Sequence, residues 1–283
     1  ALVPPRAVRY GVTMPLEYVD DLGPAKWIAE RLHPFAQDAG AIIPPGFIAY
    51  ARIFHPATRR VGDAMLPVTW REIADANLRA HHPEMQFGAL VTRVGTPGGL
   101  YDRDPQPGLF DSWPKTGSLP LDIARALVDV LGDHTTTRDR CWFAAWEGWG
   151  DYRDGSAALI TISGSPDDAP TTLPPGTHRE KPTEHPTFTL PHRGYYLARG
   201  PLAAALETVY GFTWGYHSAS IWWPDDRAWC VATEVDFDWT YVGGSAECIA
   251  AILSRPDLEA LPARLSDGVR YDSDRLNPTP PLS

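Results

Sequence analysis

Residues 220–245 read SIWWPDDRAWCVATEVDFDWTYVGGS. From Trp229 onward the odd positions are Trp229, Val231, Thr233, Val235, Phe237, Trp239 and Tyr241, and the even ones are Cys230, Ala232, Glu234, Asp236, Asp238 and Thr240. Strict period-two alternation predicts a strand with one aromatic face and one face that turns acidic. At about 3.3 Å per residue such a strand would span about 40 Å, beyond the usual length, so a bulge or bend is expected around Asp236 to Asp238. Upstream, Trp222-Trp223 before Pro224-Asp225-Asp226 reads as a turn with proline at its second position, which would leave Trp222 and Trp223 partly exposed. Downstream, Gly243-Gly244-Ser245 reads as a tight turn into a helix capped by Ser245.

The rest of the chain bounds what this stretch can do. A length of 283 residues suffices for one large domain or two ordinary ones. We expect a single globular domain, with two lobes (1–135 and 136–283) as the other arrangement. With 43% apolar and 21% charged residues, the composition is that of a globular protein. Acidic residues exceed basic ones by 35 to 25, for a net charge of −10, and no basic run is present. That balance argues against nucleic acid or an anionic membrane as partner, because both are held by clustered Lys and Arg. The cysteines, Cys141, Cys230 and Cys248, have no paired spacing and sit within strand or helix patterns. They are expected to be buried thiols in a reducing, cytoplasmic setting.

Along the chain, a helix is predicted from near Pro24, with Trp27, Ile28 and Leu32 on one face, ending by Gly40. Phe47 to Phe54 reads as a buried strand. Thr69 with Glu72 forms a capping box for a second helix. Pro120 opens the best amphipathic helix, with Ile123, Leu127, Val130 and Leu131 on its face and Gly132 at its end. CWFAAW, TFTL and GYYLA read as strands, and Pro201 and Ser245 precede further helices. Proline- and glycine-rich segments at 95–118 and 164–186 are predicted loops, and 276–283 a loose tail. Together these elements imply an α+β fold, with a mixed, largely antiparallel sheet and packed helices.

CWFAAWEGWG, the run Pro191, Arg193, Tyr195, Leu197, Gly200, Pro201, Leu202, and WWPDDRAWCVATEVDFDWTYVGGS together resemble a family of actinobacterial conserved proteins with no assigned activity. The resemblance is strong over the second half of the chain and loose over the first. It implies a cytosolic setting and lends no catalytic residues.

Two kinds of chemistry fit the opening stretch. Carboxylates two apart on a strand stand about 6.6 Å apart, close enough to share Mg²⁺ or Ca²⁺ with the help of waters. Glu234, Asp236 and Asp238 are therefore candidate metal ligands, and the plainer alternative is a solvated strand face. Gly243, Gly244 and Ser245 offer backbone N–H groups to an anion, or else simply cap a helix. Eight of the eleven tryptophans lie beyond residue 141, as a stacking surface or as core. No Gly-x-Ser-x-Gly, His-Glu-x-x-His or Cys-x-x-Cys motif occurs. The leading expectation is a ligand- or protein-binding module with an acidic, Trp-rich cleft formed by Trp222, Trp223, Asp225, Asp226, Arg227, Gly243, Gly244 and Ser245. The alternative is a divalent-metal-dependent hydrolase or transferase acting on a phosphorylated or sugar substrate.

Overall fold

The computed structural model describes residues 16–33, 37–91, 105–149, 180–191, 193–210 and 216–277. Residues 95–104 and 164–179 of the predicted loops, and 278–283 of the predicted tail, lie outside these residues. The described strands are β1 (Glu17–Tyr18), β2 (Ala49–Phe54), β3 (Ala57–Val61), β4 (Ala64–Val68), β5 (Cys141–Trp146), β6 (Thr187–Leu190), β7 (Arg193–Gly200), β8 (Ile221–Pro224), β9 (Cys230–Ala232), β10 (Trp239–Gly244) and β11 (Ala260–Ala263). The α-helices are α1 (Lys26–Arg31), α2 (Trp70–Ala76), α3 (Phe87–Leu90), α4 (Leu121–Leu131) and α5 (Ala246–Leu253).

One sheet runs β1-β7-β5-β8-β9-β10-β2-β11, with β6 sharing the outer edge of β7 with β1. β3 and β4 form a separate hairpin. Every described pairing is antiparallel, so the fold is α+β. The sheet draws strands from both sides of residue 135, since β2 lies between β10 and β11.

Both faces of the sheet are covered, which explains its aromatic richness. One face carries Phe143, Trp222, Trp229, Val231 and Val242 against Ile123, Leu127 and Leu131 of α4 and Ile249 and Ile252 of α5. The other carries Phe54, Trp223, Trp239 and Tyr241 against Trp27, Ile28, Trp70, Ile73 and Phe87. A strand buried on both faces has no reason to alternate apolar with polar residues. The local signals act as expected at two helix starts. The Thr69–Glu72 capping box forms reciprocally at α2, and the Ser245 hydroxyl accepts from Cys248 N at 3.2 Å to cap α5. The Pro24 helix is shorter than predicted, reaching only Arg31.

The single long strand predicted from Trp229 to Tyr241 is instead a hairpin. β9 ends at Ala232, residues 233–238 reverse the chain, and β10 starts at Trp239. The turn closes with Phe237 N donating to Glu234 O at 3.1 Å. The pairing matches Val231 with Val242 and Ala232 with Tyr241, so odd positions on one arm face even positions on the other. Trp229 and Val231 therefore point to the α4–α5 face, while Trp239 and Tyr241 point to the opposite one. The predicted common aromatic face does not exist, because reversal with this register exchanges the faces.

A buried histidine secures the hairpin. His55 Nδ1 donates to Lys115 O at 2.6 Å, so its Nε2 accepts from the Thr240 hydroxyl at 2.9 Å. Thr240 in turn pairs with Thr233 at 2.7 Å, directly across the first step of the reversal. Burial holds His55 down to about 4, so it is neutral at pH 7.

Candidate functional site

Glu234, Asp236 and Asp238 lie in the hairpin reversal and do not form a ladder on one strand face. Arg193 binds two of them: its Nε lies 2.7 Å from Glu234 Oε1, and its Nη2 donates to Asp236 Oδ2 at 2.5 Å. The other Glu234 oxygen accepts from Asp236 N at 2.6 Å. Burial raises the Glu234 carboxyl above its ordinary value despite these bonds and the Arg193 charge. The cation opposite these acids is thus supplied by the chain, from β7. Among the described residues no group of three or more His, Cys, Asp or Glu is placed to hold a metal ion.

Trp222 and Trp223 are each 1% exposed, which corrects the expectation of a partly exposed pair. They belong to β8 and point to opposite faces. Trp222 packs edge-on to Trp229 at 5.4 Å, and Trp223 packs edge-on to Trp27 at 6.0 Å. The turn forms one residue later than predicted: Arg227 N donates to Pro224 O at 2.9 Å, so Pro224 ends β8 and takes the first position of the turn. Its acids serve structure. Asp226 accepts from Thr136 N at 2.7 Å, from the Thr135 and Thr136 hydroxyls, and from Ala228 N at 3.1 Å. Burial pushes its carboxyl up, but these bonds outweigh that and hold it low. Asp225 accepts from Trp142 Nε1 at 3.1 Å. The Arg227 guanidinium sits over the Trp27 ring at 5.3 Å.

Gly243 and Gly244 are not a turn but the last two residues of β10, paired with Tyr50 and Ala49. Gly243 admits the rings of Phe47 and Tyr50 into the space a side chain would fill. The hydroxyl of Ser245 is occupied with its own helix. The predicted site residues therefore spread over two faces, two turns and a helix start.

The sheet instead brings together a group that the sequence reading passed over. Arg52, in the middle of β2, is 1% exposed. Its Nη1 donates to Pro83 O at 2.7 Å, while Nε and Nη2 have no partner. Tyr241 is its direct cross-strand neighbour on β10. The Tyr241 hydroxyl and the indole Nε1 of Trp239 are likewise buried, the indole N–H directed at the phenol oxygen and neither group bonded to anything else. Trp239 lies over the guanidinium at 4.0 Å, Phe54 at 4.9 Å and Trp70 at 5.8 Å. Burial lowers the Arg52 pKa and raises that of Tyr241, and the Arg52 charge and the Trp239 N–H draw the phenol part of the way back.

Carboxylates stand around this group but are engaged elsewhere. Asp267 accepts from Arg264 N at 2.8 Å. Asp274 accepts from His82 Nε2 at 2.9 Å and from the backbone of Gln86, Leu276 and Asn277. Asp267 and Glu84 are the acids whose charges reach Tyr241. Glu84 also lines a polar cleft of about 450 Å³ with Gln37, Ser266, Gly268, Arg270 and Arg275. One sequence signal marks the group: an arginine in the run Phe47 to Phe54, otherwise apolar and read as a buried strand. A charge there needs a counterpart.

Comparison with protein-family models, with curated proteins and with solved structures finds no match. No described helix is long and apolar enough to cross a membrane.

Proposed function

We propose that the protein is a binding module for a small polar molecule, which it takes into the cleft lined by Glu84, Gly268, Arg270 and Arg275. The observation that carries this reading is the unpaired, buried Nε and Nη2 of Arg52, whose Nη1 is tied to Pro83, the chain neighbour of the cleft residue Glu84. An unpaired buried donor costs about 1–3 kcal/mol, and several side by side are a poor bargain unless something occupies them. Ligand sites combine such convergent polar groups with aromatic walls. Burial of Trp222 and Trp223 favours this small-ligand reading over a docking surface built on those two rings. Three buried, unbridged cysteines support a reducing, cytoplasmic setting.

Thermal melts against a panel of small metabolites, with native mass spectrometry of the purified protein, test the reading. It expects at least one stabilising compound whose effect falls in Arg270→Ala and in Glu84→Ala. A panel with no stabiliser, together with no co-purifying small molecule, overturns it.

A further inference from the structure

We propose that the Nε/Nη2 edge of Arg52, with the Tyr241 hydroxyl beside it, is the docking point for a carboxylate group of the bound molecule. This assignment rests on the small-ligand reading above and names the chemical class of the molecule bound.

The unpaired edge is chemically specific. Nε–H and one Nη2–H point the same way in the guanidinium plane and match the two oxygens of a planar carboxylate. Elsewhere the chain uses that edge in this manner. Arg199 gives Nε and Nη2 to the two oxygens of Glu17 at 3.0 and 3.1 Å. Arg255 gives them to Asp257, and Arg193 gives them to Glu234 and Asp236. Those three pairs involve side chains at least partly open to solvent. Arg52, the most buried of the four, leaves the same edge empty.

The surroundings set the class further. Trp239, Phe54 and Trp70 lie over the guanidinium, and Nη1 is tied to Pro83, so the edge is held in place before anything binds. The edge and the Tyr241 hydroxyl beside it offer N–H and O–H donors, as an acceptor-only ligand requires. A single buried guanidinium balances one negative charge. Asp238, Asp267 and Asp274 act on it from a distance, so a dianion would be left under-compensated. A monoanionic carboxylate therefore fits better than a phosphate. Sealed from solvent, the pair would form in a low-dielectric setting, where charge-assisted hydrogen bonds are strongest.

Sodium acetate and inorganic phosphate, each compared with sodium chloride at equal ionic strength, are the probes. Thermal melts and relaxation of ¹³C-labelled acetate are the readouts. Acetate should raise Tm by about 2 °C over chloride at tens of millimolar, and phosphate should not. Tyr241→Phe, which keeps the ring and removes only the hydroxyl, should cut the acetate shift by roughly half. Arg52→Lys, which keeps the charge and loses the fork, should abolish it; if that variant does not fold, Tyr241→Phe decides. The assignment is overturned by the absence of both an acetate shift and acetate broadening in the wild type. It is equally overturned by an acetate shift unchanged in Tyr241→Phe, or by a phosphate shift larger than that of acetate. If acetate fails while a neutral metabolite still stabilises the protein through Arg270, the cleft remains a binding site and only the carboxylate assignment falls.

Discussion

Arg52 and Tyr241 face each other across β2 and β10, and the guanidinium buries two nitrogens that no side chain or backbone atom meets. Cross-strand neighbours ordinarily complete each other's bonding. Here the guanidinium is tied to Pro83 at one end only. Only the Trp239 N–H is directed at the phenol oxygen, so removing that oxygen from the ligand-free protein should cost little. Tyr241→Phe is expected to change stability by no more than about 1 kcal/mol in urea melts. A loss larger than that would show that the hydroxyl has a further partner.

The two adjacent tryptophans of β8 should behave as core. Trp223→Ala removes a ring packed on Trp27, and Trp222→Ala one packed on Trp229. Each is expected to lower the unfolding free energy by about 3–5 kcal/mol, measured by chemical denaturation. A change below about 1 kcal/mol in either variant would contradict this packing.

Stability should fall in mild acid. The imidazole of His55 has a folded pKa of about 4, below its unfolded value, so the unfolded chain takes up a proton that the folded chain refuses. The stabilising difference is complete above about pH 6.5 and is lost as pH falls towards 4, by about 3 kcal/mol for this residue. His217, held down to about 3 by burial and by the Lys115 charge, acts in the same direction. Urea melts at pH 7, 6 and 5 should show this slope, and His55→Asn should flatten it.

Divalent cations should find little purchase at the hairpin. Arg193 already binds Glu234 and Asp236, and Asp236 N occupies the remaining Glu234 oxygen. Millimolar Mg²⁺, Mn²⁺ or Ca²⁺ is therefore expected to leave Tm within about 1 °C of the metal-free value. A larger rise that disappears in Glu234→Gln would reverse this expectation.

Local chemistry was legible in the sequence wherever a residue acts on its own neighbours. The Thr69–Glu72 box, the Ser245 cap, the Pro224 turn, the α4 stripe and the buried cysteines all follow from signals a few residues long. The α+β class followed from their sum. Period two, however, runs unbroken through Trp229 to Tyr241, because the turn residues continue the alternation by composition alone. Only the pairing of Val231 with Val242 reveals the reversal that parts the aromatics and pulls the acids off a common face. Arg193 is some forty residues from the carboxylates it binds, and Arg52 meets Tyr241 across nearly two hundred residues of chain. Which polar groups find partners, and which are left facing an empty edge, is a property of strand order and register. These are set by long-range pairing that no local pattern encodes.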